Sequence, residues 1–324
     1  MTTTTRWAIL ATGAIAHTFA RDLALTPDAE LVAVGSRRAE AAEAFAAEHG
    51  GRPHGSYEAL VADPEVDVVY VATPHGRHLE DAGLALAAGK HVLCEKPLTV
   101  DVATSEQLIA EAARHDRFLM EAMWTACHPV VLAVQRDLRA GRFGTPRHLH
   151  AELGFPVPPD PAGRMWDPAL GASALLDMGI YPLTLAHLLL GEAESLHAQA
   201  VLTDRGVDAS AVVTGRYPGD ALATLVCSMT SQSSRAAAVA TDLGRLDIPT
   251  FHHPERAVFT PADGGEPVVV ESEVPLIGRG YGHEIVEVGR CLQEGLRESP
   301  LVPHSFTLTL ARQLGQLRAQ VGAA

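Results

Sequence analysis

The sequence predicts an α/β chain in two parts: a doubly wound parallel sheet, then an α+β portion with a large, mainly antiparallel open sheet. Three observations carry this. Apolar strands alternate with helices from Trp7 to about Glu121, which is the pattern of a parallel sheet with crossover helices. Beyond Trp124, extended stretches follow one another with Gly, Pro and Asp turns between them, which implies antiparallel pairing. The chain has 324 residues, 47% apolar and 20% charged, enough for two globular cores. The expected domains are 1–123 and 124–324.

The first strand, Trp7 to Ala11, leads into Thr12-Gly13-Ala14-Ile15-Ala16 and a helix reaching about Leu25, with Ile15, Phe19 and Leu23 as its apolar face. This turn matches the dinucleotide fingerprint G-x-G-x-x-G in part, with Ala11, Gly13 and Ala16 at its three positions. Gly13 lets backbone approach a pyrophosphate, and the helix start at Ala14 and Ile15 offers N–H groups and a positive dipole end. Ala16 suits tight helix–strand packing, whereas Ala11 departs from the pattern and narrows the turn's freedom. In its βαβ context the turn is read as a Rossmann-type dinucleotide site.

A second strand, Leu31 to Val34, ends in Gly35-Ser36-Arg37-Arg38. NAD sites place an acid here for the ribose 2′-hydroxyl; a hydroxyl with two guanidinium groups suits a 2′-phosphate. NADP is therefore the expected cofactor. A helix (Ala39 to His49), a strand (Val68 to Ala72) and a helix (His78 to Ala88) follow. Thr73 and Pro74 lie at a carboxyl strand end, where ligands bind, and His75 or His78 could reach a ligand there or simply be solvated or cap the helix. The strand from His91 runs into Glu95-Lys96-Pro97 at another such end, and Pro97 keeps Lys96 extended. A helix (Val102 to His115) and a strand (Phe118 to Glu121) complete the series.

The partial fingerprint, the Thr73-Pro74 loop and Glu95-Lys96-Pro97, in this order, resemble the glucose–fructose oxidoreductase and inositol dehydrogenase (Gfo/Idh/MocA) family. Glu121-Ala122-Met123-Trp124, the run Ala174 to Pro182, Gly282-His283-Glu284-Ile285, Glu298-Ser299-Pro300 and Pro303-His304-Ser305 are similar to its dimeric dihydrodiol dehydrogenase and NADP-dependent D-xylose dehydrogenase branch. The resemblance implies hydride transfer between NADP and a carbinol or carbonyl of a sugar, keto-sugar or cyclic diol. It carries the catalytic lysine and tyrosine onto Lys96 and Tyr181, implies a cis Lys96–Pro97 bond, and implies a homodimer or higher oligomer formed through the second sheet. Two departures bear on the substrate: the glycine-rich run before Asp177 reads Gly171-Ala172-Ser173, and Trp124 is followed by Thr125-Ala126-Cys127-His128.

In the second part a helix (Pro129 to Ala140) precedes strands from Arg147, Ser210, Ala221, Arg235, Arg256 and Pro267, and two helices (Gly282 to Gly295, Ser305 to Val321) close the chain. Asp177 and Tyr181, four apart, share a face on helical backbone. Pro182 requires the helix to kink or to begin near Ile180. Within the resemblance, Tyr181 is the proton donor and acceptor, Lys96 supplies positive charge, and Asp177 orients the pair or binds an adjacent hydroxyl. Trp124 is a further substrate candidate. Arg164 and Trp166 could contact cofactor or substrate, or pack a loop.

A net charge of −14 speaks against nucleic acid or an anionic membrane as partner, though a local basic cluster can bind a small anion. The four cysteines, Cys94, Cys127, Cys227 and Cys291, form no CxxC pair, so a reducing cytoplasm is expected. Neither a signal peptide nor a membrane span is expected. No metal site is expected either, because His252-His253 lacks ligand spacing. Two rival readings use the same fold: redox-assisted elimination at a glycosidic bond with retained NAD, and a non-catalytic dinucleotide-sensing regulator.

Overall fold

The computed structural model describes residues 4–323 and divides them into two compact units. The first comprises residues up to Trp124 together with Ile277–Leu308; the second comprises Thr125–Leu276 and the residues from Thr309.

The first unit opens with β1 (Thr5–Leu10), α1 (Ala14–Leu23), β2 (Ala29–Gly35), α2 (Ala39–His49), β3 (Arg52–His54) and α3 (Tyr57–Val61). It continues with β4 (Val68–Val71), α4 (His78–Ala87), β5 (His91–Glu95), α5 (Val102–Arg114) and β6 (Leu119–Ala122). All six strands pair in parallel, in the order β3-β2-β1-β4-β5-β6. The order reverses at β1, so the carboxyl ends of β1 and β4 flank the switch point where open α/β sheets bind ligands. Helices cover both faces, and the strands are accordingly apolar throughout: Trp7, Ala8, Ile9 and Leu10 are wholly buried, as are Val68 to Val71. On α1 the buried Ala16, Phe19, Ala20 and Leu23 follow the helical repeat. Asp101 caps α5 by accepting from Thr104 N at 2.8 Å.

The chain passes to the second unit after Trp124, and residues 277–308 return to the first, so the first unit is not one continuous segment. The reason is a carboxylate. Asp22 Oδ2, at the end of α1, accepts the backbone N–H groups of Arg279, Gly280 and Tyr281 at 2.8, 3.1 and 3.0 Å. An extra methyl at Gly278 would sit 2.1 Å from Asp22 Oδ1, so this approach needs glycine.

The second unit holds most of α6 (Trp124–Cys127), then α7 (Pro129–Arg139), β7 (Pro146–Gly154), α8 (Ile180–Leu190), β8 (Ser195–Leu202), β9 (Asp208–Tyr217), β10 (Ala221–Ser228), β11 (Ala237–Thr241), β12 (Gly244–Ile248), β13 (Arg256–Pro261) and β14 (Val268–Glu271). The chain closes with α9 (Tyr281–Gln293) in the first unit and α10 (His304–Val321), divided between the two after Leu308. The eight strands run β14-β13-β12-β11-β7-β10-β9-β8, antiparallel except for the β7–β10 pair. Burial alternates along β9, so one sheet face packs inward while Val212 lies on the open face with Val201 and Leu222. Pro168–Leu190 is long and apolar enough to cross a membrane by length and composition, but it is buried as core of this unit.

Five elements were not anticipated. β3, α3 and α6 are short, and the edge strand β8 and the polar β12 carry weak apolar patterns that pairing, not sequence, selects.

Candidate active site

At the carboxyl end of β1 the chain turns through Ala11, which adopts φ +87°, and Gly13, the residue before α1. The fingerprint's usual glycine at Ala11 is thus explained: the turn demands a left-handed residue, and an alanine bears the strain. A methyl built on Gly13 would meet nothing within 4 Å, and the first turn of α1, with Ala14 and Ile15, carries no acid. An open cradle at a helix start fits a diphosphate. At the end of β2, Ser36 is buried and its Oγ accepts from Arg38 N at 3.3 Å, while Arg37 and Arg38 are exposed. Both guanidinium groups therefore border solvent at the position expected for a 2′-phosphate.

After β4, Thr73 and Pro74 lead into a short 3-10 turn at His75, and the side chains of Thr73 and His75 are buried. His78 is wholly enclosed. Its Nδ1 lies 2.9 Å from Pro97 O and its Nε2 2.8 Å from Thr73 O. Two carbonyl acceptors favour a charged ring, but complete burial outweighs them and lowers the pKa to about 4, so the neutral ring donates to one carbonyl at a time. His78 therefore offers no ring nitrogen to a cofactor. It ties the Thr73-Pro74 loop to the Lys96–Pro97 turn, whose peptide bond is cis.

The end of β5 is densely polar for a buried place. Glu95 accepts from the Tyr70 hydroxyl at 2.5 Å and from Lys96 N at 3.1 Å. Lys96 itself is 8% exposed. Glu121, on β6, accepts from Leu98 N at 2.9 Å and from Thr307 Oγ1 at 2.8 Å. Burial raises the pKa of Glu95 and lifts that of Glu121 to about 7, and the positive charge of Lys96 opposes both shifts. Burial also raises Tyr70, with the Glu95 charge adding to it. Glu284 on α9 is fully buried, and neither carboxyl oxygen has a hydrogen-bond partner among the described residues. Burial and the charges of Glu95 and Asp22 push its pKa well up. Trp124 stacks on Tyr281, ring centres 4.3 Å apart.

In the second unit, Asp177 lies in a π-helical turn, Leu175–Gly179, that leads into α8. Pro182 has no N–H to continue the α pattern backward, so the α-helix begins at Ile180 and Pro182 occupies its first turn. The Ser173 departure has a structural use: its Oγ accepts from Leu176 N at 3.1 Å, while Asp208 Oδ2 accepts from Leu175 N at 2.7 Å. Arg164 donates to Asp177 Oδ1 at 3.1 Å. Trp166 donates Nε1 to Pro158 O at 2.9 Å and so packs its own loop. Tyr181, 7% exposed, meets the His252 ring edge-on at 5.6 Å.

His252 is the neighbour that sequence reasoning missed, since His252-His253 was set aside for lacking metal-ligand spacing. Tyr70, Thr307 and Glu284 were missed as well. Tyr70 sits inside an apolar strand and reads as core, and Thr307 is far from Glu121 in sequence; no local signal marks either.

Comparison with known proteins agrees along the whole chain. Residues 5–123 match the family model described as "Oxidoreductase family, NAD-binding Rossmann fold", and residues 131–247 match "GFO/IDH/MocA C-terminal domain". Trans-1,2-dihydrobenzene-1,2-diol dehydrogenase from Danio rerio is 34% identical over 325 residues, and that from Mus musculus 35% over 330; each alignment covers 98% of this chain and 97% of the relative. Among solved structures, the 3-ketoreductase KijD10 from Actinomadura kijaniata, with NADP and TDP-benzene, superposes with TM-score 0.87 at 28% identity over 98% of both chains. That enzyme was also solved with a tyrosine changed to phenylalanine and with a lysine changed to alanine. An aldose-aldose oxidoreductase from Caulobacter crescentus shares the fold, with TM-score 0.88 at 24% identity over 98% of this chain and 97% of that one. The chain belongs to the Gfo/Idh/MocA oxidoreductase family.

Proposed function

We propose that this chain is an NADP-dependent dehydrogenase/reductase acting on a carbinol or carbonyl carbon of a sugar, keto-sugar or cyclic diol, with Lys96 and Tyr181 as its acid–base pair. The near full-length likeness to dihydrodiol dehydrogenases carries the reading. The related ketoreductase, solved with NADP and in tyrosine and lysine variants, supports it. The open cradle at Gly13 suits the diphosphate, Ser36, Arg37 and Arg38 bind the 2′-phosphate, and Thr73, Pro74 and His75 border the cofactor.

When bound, the nicotinamide supplies the hydride chemistry. Tyr181 holds the proton exchanged with the substrate oxygen. A phenol starts near ~10 and needs positive charge nearby to work at neutral pH. Lys96 supplies that charge, hydrogen-bonds the same oxygen and polarises the carbonyl in the reductive direction. Glu95 fixes the Lys96 backbone through its N–H. Asp177, held by Arg164, orients the pair or takes a neighbouring hydroxyl. Trp124 is the aromatic substrate contact of this reading.

The test is turnover of Tyr181→Phe and Lys96→Met on a panel of aldoses, keto-sugars and cyclic diols, in both directions. Each variant should lose about 10²–10⁴-fold in rate while NADPH binding persists. Near-full turnover in both variants ends the assignment, and no turnover by wild type on any of the panel ends the substrate class. The same reading makes the open face of the eight-stranded sheet, with Val201, Val212 and Leu222 exposed, the contact of a homodimer. Sedimentation as a monomer at micromolar concentration would remove that part. A reducing cytoplasm belongs to the same reading, with all four cysteines buried.

A further inference from the structure

Away from the hydride chemistry, α1 and α2 bring three ligand-type side chains to one point. His17 lies in α1, and Glu48 and His49 are the last two residues of α2. His17 Nδ1 is 2.8 Å from His49 Nε2. Glu48 reaches both rings: Oε2 is 3.2 Å from His17 Nδ1 and Oε1 is 3.2 Å from His49 Nε2. The two ring nitrogens thus face each other, each with a different oxygen of the Glu48 carboxylate beside it, and one ligand atom from each residue lies within 4.8 Å of the others.

That spacing is informative. Zn²⁺ bonds of about 2.0–2.1 Å in tetrahedral geometry set neighbouring ligand atoms roughly 3.3 Å apart. The two ring nitrogens, 2.8 Å apart, need to separate by roughly half an ångström, and each already has a carboxylate oxygen at 3.2 Å. The surroundings fit as well. The Phe45 ring lies 4.6 Å from each imidazole ring and limits their rotation. Arg21, one turn beyond His17, donates to Glu48 Oε1 at 3.1 Å, the outer hydrogen bond that ligating carboxylates usually carry. The His49 side chain is 8% exposed, while those of His17 and Glu48 are 31% and 49% exposed, which leaves the fourth position toward solvent. Two imidazoles and one carboxylate suit zinc-like ions, whereas calcium and magnesium prefer oxygen alone.

We propose that His17, Glu48 and His49 form a structural site for a divalent zinc-type cation, which ties the helix after the glycine turn to the helix after Ser36-Arg37-Arg38. The reading does not depend on the assigned hydride chemistry. Without metal, the His17–His49 contact is a hydrogen bond and the Arg21–Glu48 ion pair holds the carboxylate.

The experiment uses the full chain stripped with chelator, titrated with Zn²⁺ by calorimetry and with Co²⁺ by visible absorption. The expected result is one equivalent of zinc, a rise in melting temperature, and the strong visible bands of four-coordinate cobalt. His17→Gln and Glu48→Gln should each weaken binding roughly ten-fold or more, and should abolish the rise in melting temperature that zinc gives the wild type. Absence of stoichiometric uptake by wild type at micromolar zinc overturns the proposal. So does wild-type affinity and stoichiometry in both variants, which would put the metal elsewhere.

Discussion

Replacing Glu121 by glutamine should flatten the dependence of stability on pH. The carboxyl is buried beside Glu95, and its pKa rises from an ordinary 4.5 to about 7. Below 4.5 both the folded and unfolded chains hold the proton, and burial costs nothing extra. As pH climbs from 4.5 toward 7, unfolding frees the group to ionise, so stability falls; the loss is complete above the folded value. At about 1.36 kcal/mol per pH unit over that span, the loss comes to about 3 kcal/mol. Glutamine keeps the local hydrogen bonds, because its oxygen accepts from Leu98 N and its amide donates to Thr307 Oγ1. The variant should therefore match wild type near pH 4.5 and exceed it by about 3 kcal/mol near pH 8. Urea unfolding followed by tryptophan fluorescence from pH 4.5 to 8 measures this, with Trp7 and Trp124 reporting on the unit that holds Glu121. Parallel stability profiles for the two proteins would refute the assignment of a neutral, buried Glu121.

Two more predictions follow from the nucleotide half. Ala11→Gly removes a side chain from a residue at φ +87°; relief of strain, offset by glycine's added chain entropy, should raise stability by roughly 0.5–1 kcal/mol in thermal unfolding. A loss of stability would show that Ala11 carries no strain. Arg37→Ala with Arg38→Ala should raise KM for NADPH by roughly ten-fold or more and leave KM for NADH nearly unchanged, because only the former presents a 2′-phosphate. An equal change for both cofactors would place the selecting groups elsewhere.

Much of the first unit was legible because its signals are local. Trp7 to Ala11 and Val68 to Ala72 are unbroken apolar runs, each followed by a threonine and a Gly or Pro, and such runs identify covered parallel strands without knowledge of what covers them. Pro182 alone narrowed α8 to a kink or a start near Ile180, since a missing N–H constrains the backbone wherever it occurs, and the π-helical turn before Ile180 decided between them. The place of Lys96 at a carboxyl strand end was readable from the strand before it and the proline after it, while its catalytic role came only from the family resemblance.

The rest depends on segments that meet only when the chain folds back. Nothing near Asp22 announces that it will bind the backbone at Arg279 to Tyr281, and this contact moves residues 277–308 into the first unit. Glu121 is titratable near neutrality because burial desolvates it against the opposing hydrogen bonds from Thr307 and Leu98, and desolvation is a property of the enclosure, not of the residue. His252 stands at Tyr181, and His17 at Glu48 and His49, for the same reason. Periodicity and turn chemistry record short-range constraints of backbone and water. Partners far apart in sequence are chosen by packing, and with them come the charge states of the buried groups on which the chemistry depends.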